Sequence, residues 1–191
     1  MKWYPSGDGQ TPLDRDEARG LRLDLSTRAE LDEMEHLAIA EALLRLRPRA
    51  RRGALDGQLR SPSGLCELHT ALFGDLWTWA GSFRTTEKNI GVAPHQIPAE
   101  LKKACDDFSF WIDEGAWDLR LAAAHYHHRL VKVHPFVNGN GRLARLTADL
   151  FLDGRKTPPL RWPTDRDAYI QALRQADARD FTALDEMLLG S

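Results

Sequence analysis

Cysteine is nearly missing from this chain of 191 residues: only Cys66 and Cys105 occur, far apart and outside any CxxC or Cys/His spacing. A chain of this size does not need a disulfide, the spacing offers no thiolate metal site, and both thiols are expected to be buried. Long apolar runs are missing as well. No stretch reaches the roughly 20 residues that a membrane-spanning helix requires. The opening MKWYPSGDGQTP has neither an apolar h-region nor a cleavage-site pattern, so the expected setting is the cytoplasm, with no membrane partner. Nor is there an excess of either charge. The 26 basic residues face 28 acidic ones for a formal net charge of -2, which supplies no global field for nucleic acid or anionic lipid. Any affinity for phosphate must be local. What is present is 42% hydrophobic residues scattered among charges, enough for one packed domain at this length.

Residues 1–20 are rich in Gly, Pro and Asp and read as an irregular arm, laid across the domain through Trp3 and Tyr4. One domain is expected over residues 21–191. From Ser26 the pattern is helical: Leu31, Met34, Leu37, Ala38 and Leu44 recur at three- and four-residue steps, with Ser26 or Thr27 as N-cap. This predicts a helix over 26–47, ending before Pro48. Six arginines then fall between Arg45 and Arg60, at 45, 47, 49, 51, 52 and 60. They read as a solvated loop between helices, with a nucleic-acid or partner patch as the alternative. Ser61-Pro62-Ser63 opens another helix towards Leu76. Residues 84–97, RTTEKNIGVAPHQI, lack a helical stripe and contain β-branched residues with an internal Gly91 and Pro94, which predicts a short exposed hairpin. Pro98 starts a helix through Ile112, Asp118 caps one from Leu119 to about Val133, and the Gly-Asn-Gly opens one that stops at Gly154. Thr164 and Asp167 form a capping box for a helix through Tyr169, and 181–189 gives the last. The fold is therefore mainly α with one hairpin, without repeats.

The chemistry is concentrated in residues 134–145, HPFVNGNGRLAR. Pro135 disfavours helical geometry at His134, which stops the preceding helix and holds the imidazole at the mouth of a loop. Phe136 can anchor that loop in the core. Gly139 and Gly141 flank Asn140 at the entry to the next helix, where backbone N–H groups lack intrahelical partners and the dipole is positive, a geometry suited to phosphate. Arg142 and Arg145 follow three apart, on one face of the first turns. Each piece has a plain structural explanation: an Asn cap, glycines for a tight turn, surface ion pairs. Their coincidence at one loop favours a base, an anion cradle and an arginine clamp. The GxxxxGK[ST] spacing of a P-loop is missing, and no strand precedes the glycines as a Rossmann fingerprint requires.

The segment resembles the signature of the Fic/Doc family: HPF, a variable residue, Asp or Glu, GNGR, two variable residues and Arg. The likeness extends in kind from about Ser26, through Trp79-Ala80-Gly81-Ser82-Phe83-Arg84, to Tyr169, and is also similar to the subgroup called mobile mystery protein B. The resemblance implies a helical domain that moves AMP from ATP to a hydroxyl of a target protein. In it an extended flap, here Thr85, Thr86, Ile90, Gly91 and Val92, docks the target as an added strand. It implies that His134 is the general base, that Gly139, Asn140 and Gly141 hold the α- and β-phosphates, and that Arg142 and Arg145 balance charge on the departing pyrophosphate. Phe136 is structural. Where the family has an acidic ligand for Mg²⁺ or Mn²⁺ this chain has Asn138, a weaker ligand for a hard cation. Retention of Gly141, where the phosphate-transferring Doc branch has Lys, favours AMP transfer over kinase-like chemistry.

Many such proteins are held off by a short helix reading Ser/Thr, three residues, Glu, then Gly or Asn. Ser26-Thr27-Arg28-Ala29-Glu30 matches this in part, with Leu31 next, and an auto-inhibitory Glu30 opposite Arg145 is expected; ordinary capping is the alternative. Three rival functions stand beside AMP transfer: AMP removal with Glu30 orienting a water, a degenerate nucleotide- or partner-binding module signalled by Asn138, and a nucleic-acid accessory protein using Arg45–Arg60. Self-association stays open. His125, His127 and His128 lack a carboxylate or cysteine at ligand spacing and are assigned to packing or surface roles. Trp77, Trp79, Trp111, Trp117 and Trp162 are assigned to the core, as is Tyr169.

Overall fold

Nine α-helices and one 3-10 turn follow one another in a computed structural model that describes residues 15–25 and 27–190. The centre of the fold is α6, Leu119–Val133, whose N-cap Asp118 accepts hydrogen bonds from the N–H groups of Arg120 and Leu121. A helix with one buried face shows an exposed stripe every three to four residues. In α6, Ala122, Ala123 and Ala124 are all buried, together with Tyr126, Leu130 and Val133. Three consecutive buried positions can arise only where neighbours surround the helix, and the small side chains let those neighbours approach closely. Around it pack α5 (Ile97–Asp113), α7 (Asn140–Gly154), α8 (Arg166–Asp177) and α9 (Thr182–Leu189). Phe108 of α5 stacks on Tyr126 at 4.0 Å, and the Tyr126 hydroxyl donates to the Leu59 carbonyl at 3.0 Å. Burying each large apolar side chain of this core stabilises the fold by roughly 1.5–3 kcal/mol relative to exposure.

The three histidines of α6 serve this packing. His125 bonds Asp185 and stacks on Phe181 at 4.0 Å, His127 bonds the Tyr169 hydroxyl, and His128 bonds Asp177. Each ties the central helix to α8 or α9. Trp77 is buried, and Trp79, Trp111, Trp117 and Trp162 pack half-buried against the core. Cys105 is buried and Cys66 half-buried, both as free thiols.

The second long helix, α2, corrects the expected stop before Pro48: it runs Arg28–Arg51 with Pro48 inside. Proline removes the hydrogen bond to the carbonyl four residues back, which here belongs to Leu44. Leu44 is 78% exposed, so water can take that carbonyl and the helix continues. The arginine cluster is accordingly not a loop. Its first four members lie on α2, and Arg51 and Arg60 reach Asp153 and the pair Asp56 and Asp113. A short α3 (Asp56–Leu59) and then α4 (Pro62–Phe73) follow, the latter capped by the Ser61 hydroxyl and opened by Pro62. The cap of α8 is Asp165, which accepts from the Ala168 N–H, in place of the expected Thr164 box.

The hairpin expected over 84–97 is not formed. This stretch is irregular and ends in a 3-10 turn, Pro94–Gln96. The physical reason is a side chain: the guanidinium of Arg84 donates to the carbonyls of Thr86 and Val92, taking up acceptors that a paired strand would have used. The end of the predicted arm is also ordered. Helix α1, Arg15–Ala18, presents the Glu17 carbonyl to the Trp79 indole at 3.0 Å, and Leu21 forms an isolated bridge with Trp77. Trp3, Tyr4 and Ser26 lie outside the described residues. No described helix is long and apolar enough to cross a membrane.

Candidate active site on the 134–145 loop

Helices α6 and α7 are joined by residues 134–139, so the catalytic candidates sit between the two most extensively packed helices of the molecule. His134 is the C-cap of α6 and adopts the left-handed conformation, φ 52° and ψ 59°, with its N–H closing the helix on the Leu130 carbonyl. A non-glycine residue in this region stores strain that the surroundings must hold. Three features hold it: Pro135 bars right-handed helix, the Arg84 Nε donates to the His134 carbonyl at 2.7 Å, and Gly91 packs against the imidazole stem. Burial, with the Arg84 charge nearby, lowers the His134 pKa to about 4. The ring is therefore neutral near pH 7 and can accept a proton.

The loop is fixed from below by rings. Phe136 is fully buried and stacks on His69 at 4.0 Å. His69 has a defined tautomer, because its Nδ1 accepts from the Gly81 N–H at 3.0 Å and its Nε2 is left to donate to the Asn138 carbonyl, also at 3.0 Å. Burial keeps it neutral, with a pKa lowered to about 4. Asn140 closes the loop: its Oδ1 accepts from the Phe136 N–H and its Nδ2 donates to the Phe136 carbonyl. Both ends of that side chain are engaged, which leaves its backbone N–H to face a ligand.

The two glycines differ in kind. Gly139 has φ 78°, and a Cβ there would come within 2.9 Å of two atoms of the Phe73 ring. The fold itself demands this glycine. At Gly141, near the start of α7, a Cβ would meet nothing within 4 Å. No neighbour among the described residues accounts for glycine there, although glycine in a helix costs roughly 1 kcal/mol relative to alanine. The first intrahelical bond of α7 runs from the Leu143 N–H to the Gly139 carbonyl at 2.9 Å. The N–H groups of Asn140, Gly141 and Arg142 precede it and point out of the helix start, as anion-binding termini do.

Arg142 and Arg145 are held differently. Arg142 lies over the Phe73 ring at 4.9 Å and donates from Nη1 to Glu35 Oε2 at 2.7 Å. Glu35 is 1% exposed, and its other oxygen accepts from the Trp77 indole at 3.0 Å. Arg145 sits over Tyr169 at 4.9 Å and Trp162 at 5.8 Å. The Tyr169 hydroxyl reaches His127 Nε2 at 2.5 Å, and burial beside Arg145 keeps His127 neutral, with a pKa lowered to about 3. Arg145 is thus aimed by two aromatic faces.

The expected brake, Glu30, lies at the start of α2. Glu30 closes a capping box with Thr27 at the start of α2: its carboxylate accepts from the Thr27 N–H at 2.9 Å while the Thr27 hydroxyl accepts from the Glu30 N–H. Glu35, further along α2, reaches the signature arginine Arg142. The sequence signal was available, since Glu35 falls on the buried stripe with Leu31, Ala42, Leu46 and Ala50. His69 was legible in the same way, as a polar residue among buried Leu65, Leu68, Leu72 and Phe73.

Asn138 offers little to a cation. Its Oδ1 accepts from the Gly139 N–H at 2.8 Å, its Nδ2 is buried without a hydrogen-bond partner, and no group of three or more His, Cys, Asp or Glu side chains is arranged to hold a metal among the described residues. A neutral amide already engaged by backbone does not fit a resident Mg²⁺ or Mn²⁺. Of the flap candidates, Thr85, Ile90 and Gly91 are exposed and Thr86 and Val92 half-buried. The flap is fastened to α1 and α6. Thr86 and Lys88 bond Glu17 of α1, and the Val92 N–H donates to the Val133 carbonyl at 3.4 Å.

Residues 59–152 match the Fic/DOC family. The chain is 35% identical over 127 residues to protein adenylyltransferase fic-1 of Caenorhabditis elegans, and similarly to that of Caenorhabditis briggsae, covering 61% of this chain but 24% of each relative. It spans about a quarter of the length of these curated relatives. Among solved structures, Fic-1 of C. elegans aligns with a TM-score of 0.66 at 26% identity, over 88% of this chain and 52% of that one. The BepC effector protein of Bartonella tribocorum with bound AMPPNP aligns with a TM-score of 0.67 at 17% identity, over 91% and 96%. With the helical fold, the 134–145 loop and these matches in agreement, the chain carries a domain of the Fic/DOC family.

Proposed function

We propose that this domain is a protein adenylyltransferase, moving AMP from ATP to a hydroxyl side chain of a target protein. The observation that carries the reading is Gly141, a helix-start glycine that no neighbour among the described residues requires. Its open space, beside outward N–H groups and two arginines, fits the backbone approach of a phosphate chain. The names of the curated relatives support the same chemistry. A target hydroxyl attacks the α-phosphorus: the new O–P bond forms, the bond to the β-phosphate oxygen breaks, the hydroxyl proton passes to His134, and pyrophosphate leaves. His134 is neutral near pH 7 and takes that proton without prior deprotonation. Arg142 and Arg145 compensate charge on the leaving group. The described residues of this loop offer no ready site for Mg²⁺ or Mn²⁺.

The activity is held back by Glu35, which neutralises Arg142 in the state described. The segment 84–93 is the surface that receives the target, in the cytoplasm. The test is transfer from ATP labelled at the α- or the γ-phosphate, with and without His134→Ala. Only α-label should reach protein, and His134→Ala should abolish it. Transfer of γ-label would make the domain a kinase, and no transfer despite nucleotide binding would make it a binding module.

A further inference from the structure

Arg84 takes no part in the reaction above, yet it is 2% exposed and its guanidinium makes three hydrogen bonds to backbone carbonyls, one of them 50 residues away in sequence. Nε donates to His134 at 2.7 Å, Nη1 to Thr86 at 2.8 Å, and Nη2 to Val92. Its own backbone N–H donates to the Pro135 carbonyl at 2.9 Å. The fit is close on the far side too, because a Cβ at Gly91 would lie 2.6 Å from His134 Cβ and 2.8 Å from Arg84 Nη2. One planar guanidinium therefore ties both ends of the flap to the carbonyl of a residue in left-handed geometry. A rigid fork of donors can satisfy three acceptors at once, which a single ammonium on a flexible stem cannot.

We propose that Arg84 is the positioning residue of this site: it joins the flap and the His134 backbone into one unit, so that the flap conformation sets the orientation of the base. The proposal rests on His134 being the base, but the joint itself does not. The charged groups around the imidazole are Arg84 and Lys88 from the flap segment, with Glu17 of α1 paired to Lys88; from α6 the Val131 carbonyl favours the protonated ring. Burial first, and then the Arg84 charge, hold the His134 pKa down.

The experiment compares the native chain with Arg84→Lys and Arg84→Met, and with His134→Ala as the reference for the base. Three quantities are read: kcat and KM for α-label transfer, AMPPNP affinity by calorimetry, and the His134 titration with Val92 amide exchange by NMR. Arg84→Lys keeps the charge and loses the fork. Its kcat should fall roughly 100-fold, the scale of a misplaced catalytic group, with AMPPNP affinity and His134 titration unchanged and Val92 exchanging faster. Arg84→Met should lose kcat similarly, while the His134 titration moves up from about 4. Should Arg84→Met not fold, the lysine variant and its Val92 exchange decide alone. Native kcat and native Val92 exchange in Arg84→Lys would overturn the proposal. If the native chain transfers no label while both NMR readouts still respond to Arg84, the base assignment fails and the joint between flap and His134 stands.

Discussion

Arg142 of the 134–145 loop and Glu35 of α2 form an ion pair at 2.7 Å, 107 residues apart in sequence, with the carboxylate 1% exposed and the guanidinium partly so. A carboxylate this buried is stabilised by partners on both oxygens, here Arg142 and Trp77. The pair engages one of the two cations that would otherwise meet a triphosphate.

Glu35→Gln keeps an acceptor for the Trp77 indole and removes the charge from Arg142. Nucleotide affinity and label transfer should both rise, and Trp77 fluorescence should stay near native. Glu30→Gly should do neither. It breaks the capping box and lowers stability by about 1 kcal/mol, read as a lower Tm with unchanged transfer. A rise in transfer with Glu30→Gly alone would return the brake to Glu30.

The two glycines separate binding from folding. Gly141→Ala should raise stability by up to about 1 kcal/mol through helix propensity and weaken AMPPNP binding measured by calorimetry. Gly139→Ala should instead destabilise by at least about 1–2 kcal/mol, because alanine resists left-handed geometry and its methyl meets the Phe73 ring. If Gly141→Ala binds AMPPNP as the native chain does, the phosphate does not approach there.

Tyr169→Phe removes the hydroxyl that bonds His127 and supports Arg145. A buried imidazole nitrogen then lacks its partner, at a cost of about 1–3 kcal/mol in chemical denaturation. Arg145 loses part of its support, so KM for ATP should rise more than kcat falls. An unchanged KM would show that the two rings alone aim Arg145.

The buried histidines also set an acid limit. His69, His127 and His134 have pKa values lowered to about 4, 3 and 4, by burial first in each case. An unfolded chain binds their protons near pH 6.5 and the folded one only well below, so the unfolded state holds more protons across that interval. The stability they contribute is full above about pH 6.5 and is lost as pH falls towards 4. Each contributes a slope of about 1.4 kcal/mol per pH unit while the two states differ by one proton. Tm should be flat near neutrality and fall steeply below pH 6; a Tm independent of pH from 7 to 4.5 would show that these rings are charged in the fold.

The helices and the 134–145 loop were legible because their signals are local: Asp118 and Ser61 as caps, Pro62 and Pro135 as punctuation, and glycines beside Asn140. The misses share a cause, in that each turns on burial or exposure in the folded chain and not on local pattern. Pro48 stays inside α2 because its orphaned carbonyl belongs to an exposed turn, which pattern alone does not reveal. The flap does not pair as a hairpin because a buried arginine takes its acceptors. Glu35 carries no motif spacing, and only the phase of the helix marks it. Its place among buried residues of α2 pointed inward.

The most direct test of the account is α-labelled ATP transfer to protein by the native chain, Glu35→Gln and Glu35→Gln/His134→Ala, with a cell lysate as target. The account predicts weak transfer by the native chain, stronger transfer by Glu35→Gln and none by the double variant. Equal transfer with and without His134, or none in any of the three, would contradict it.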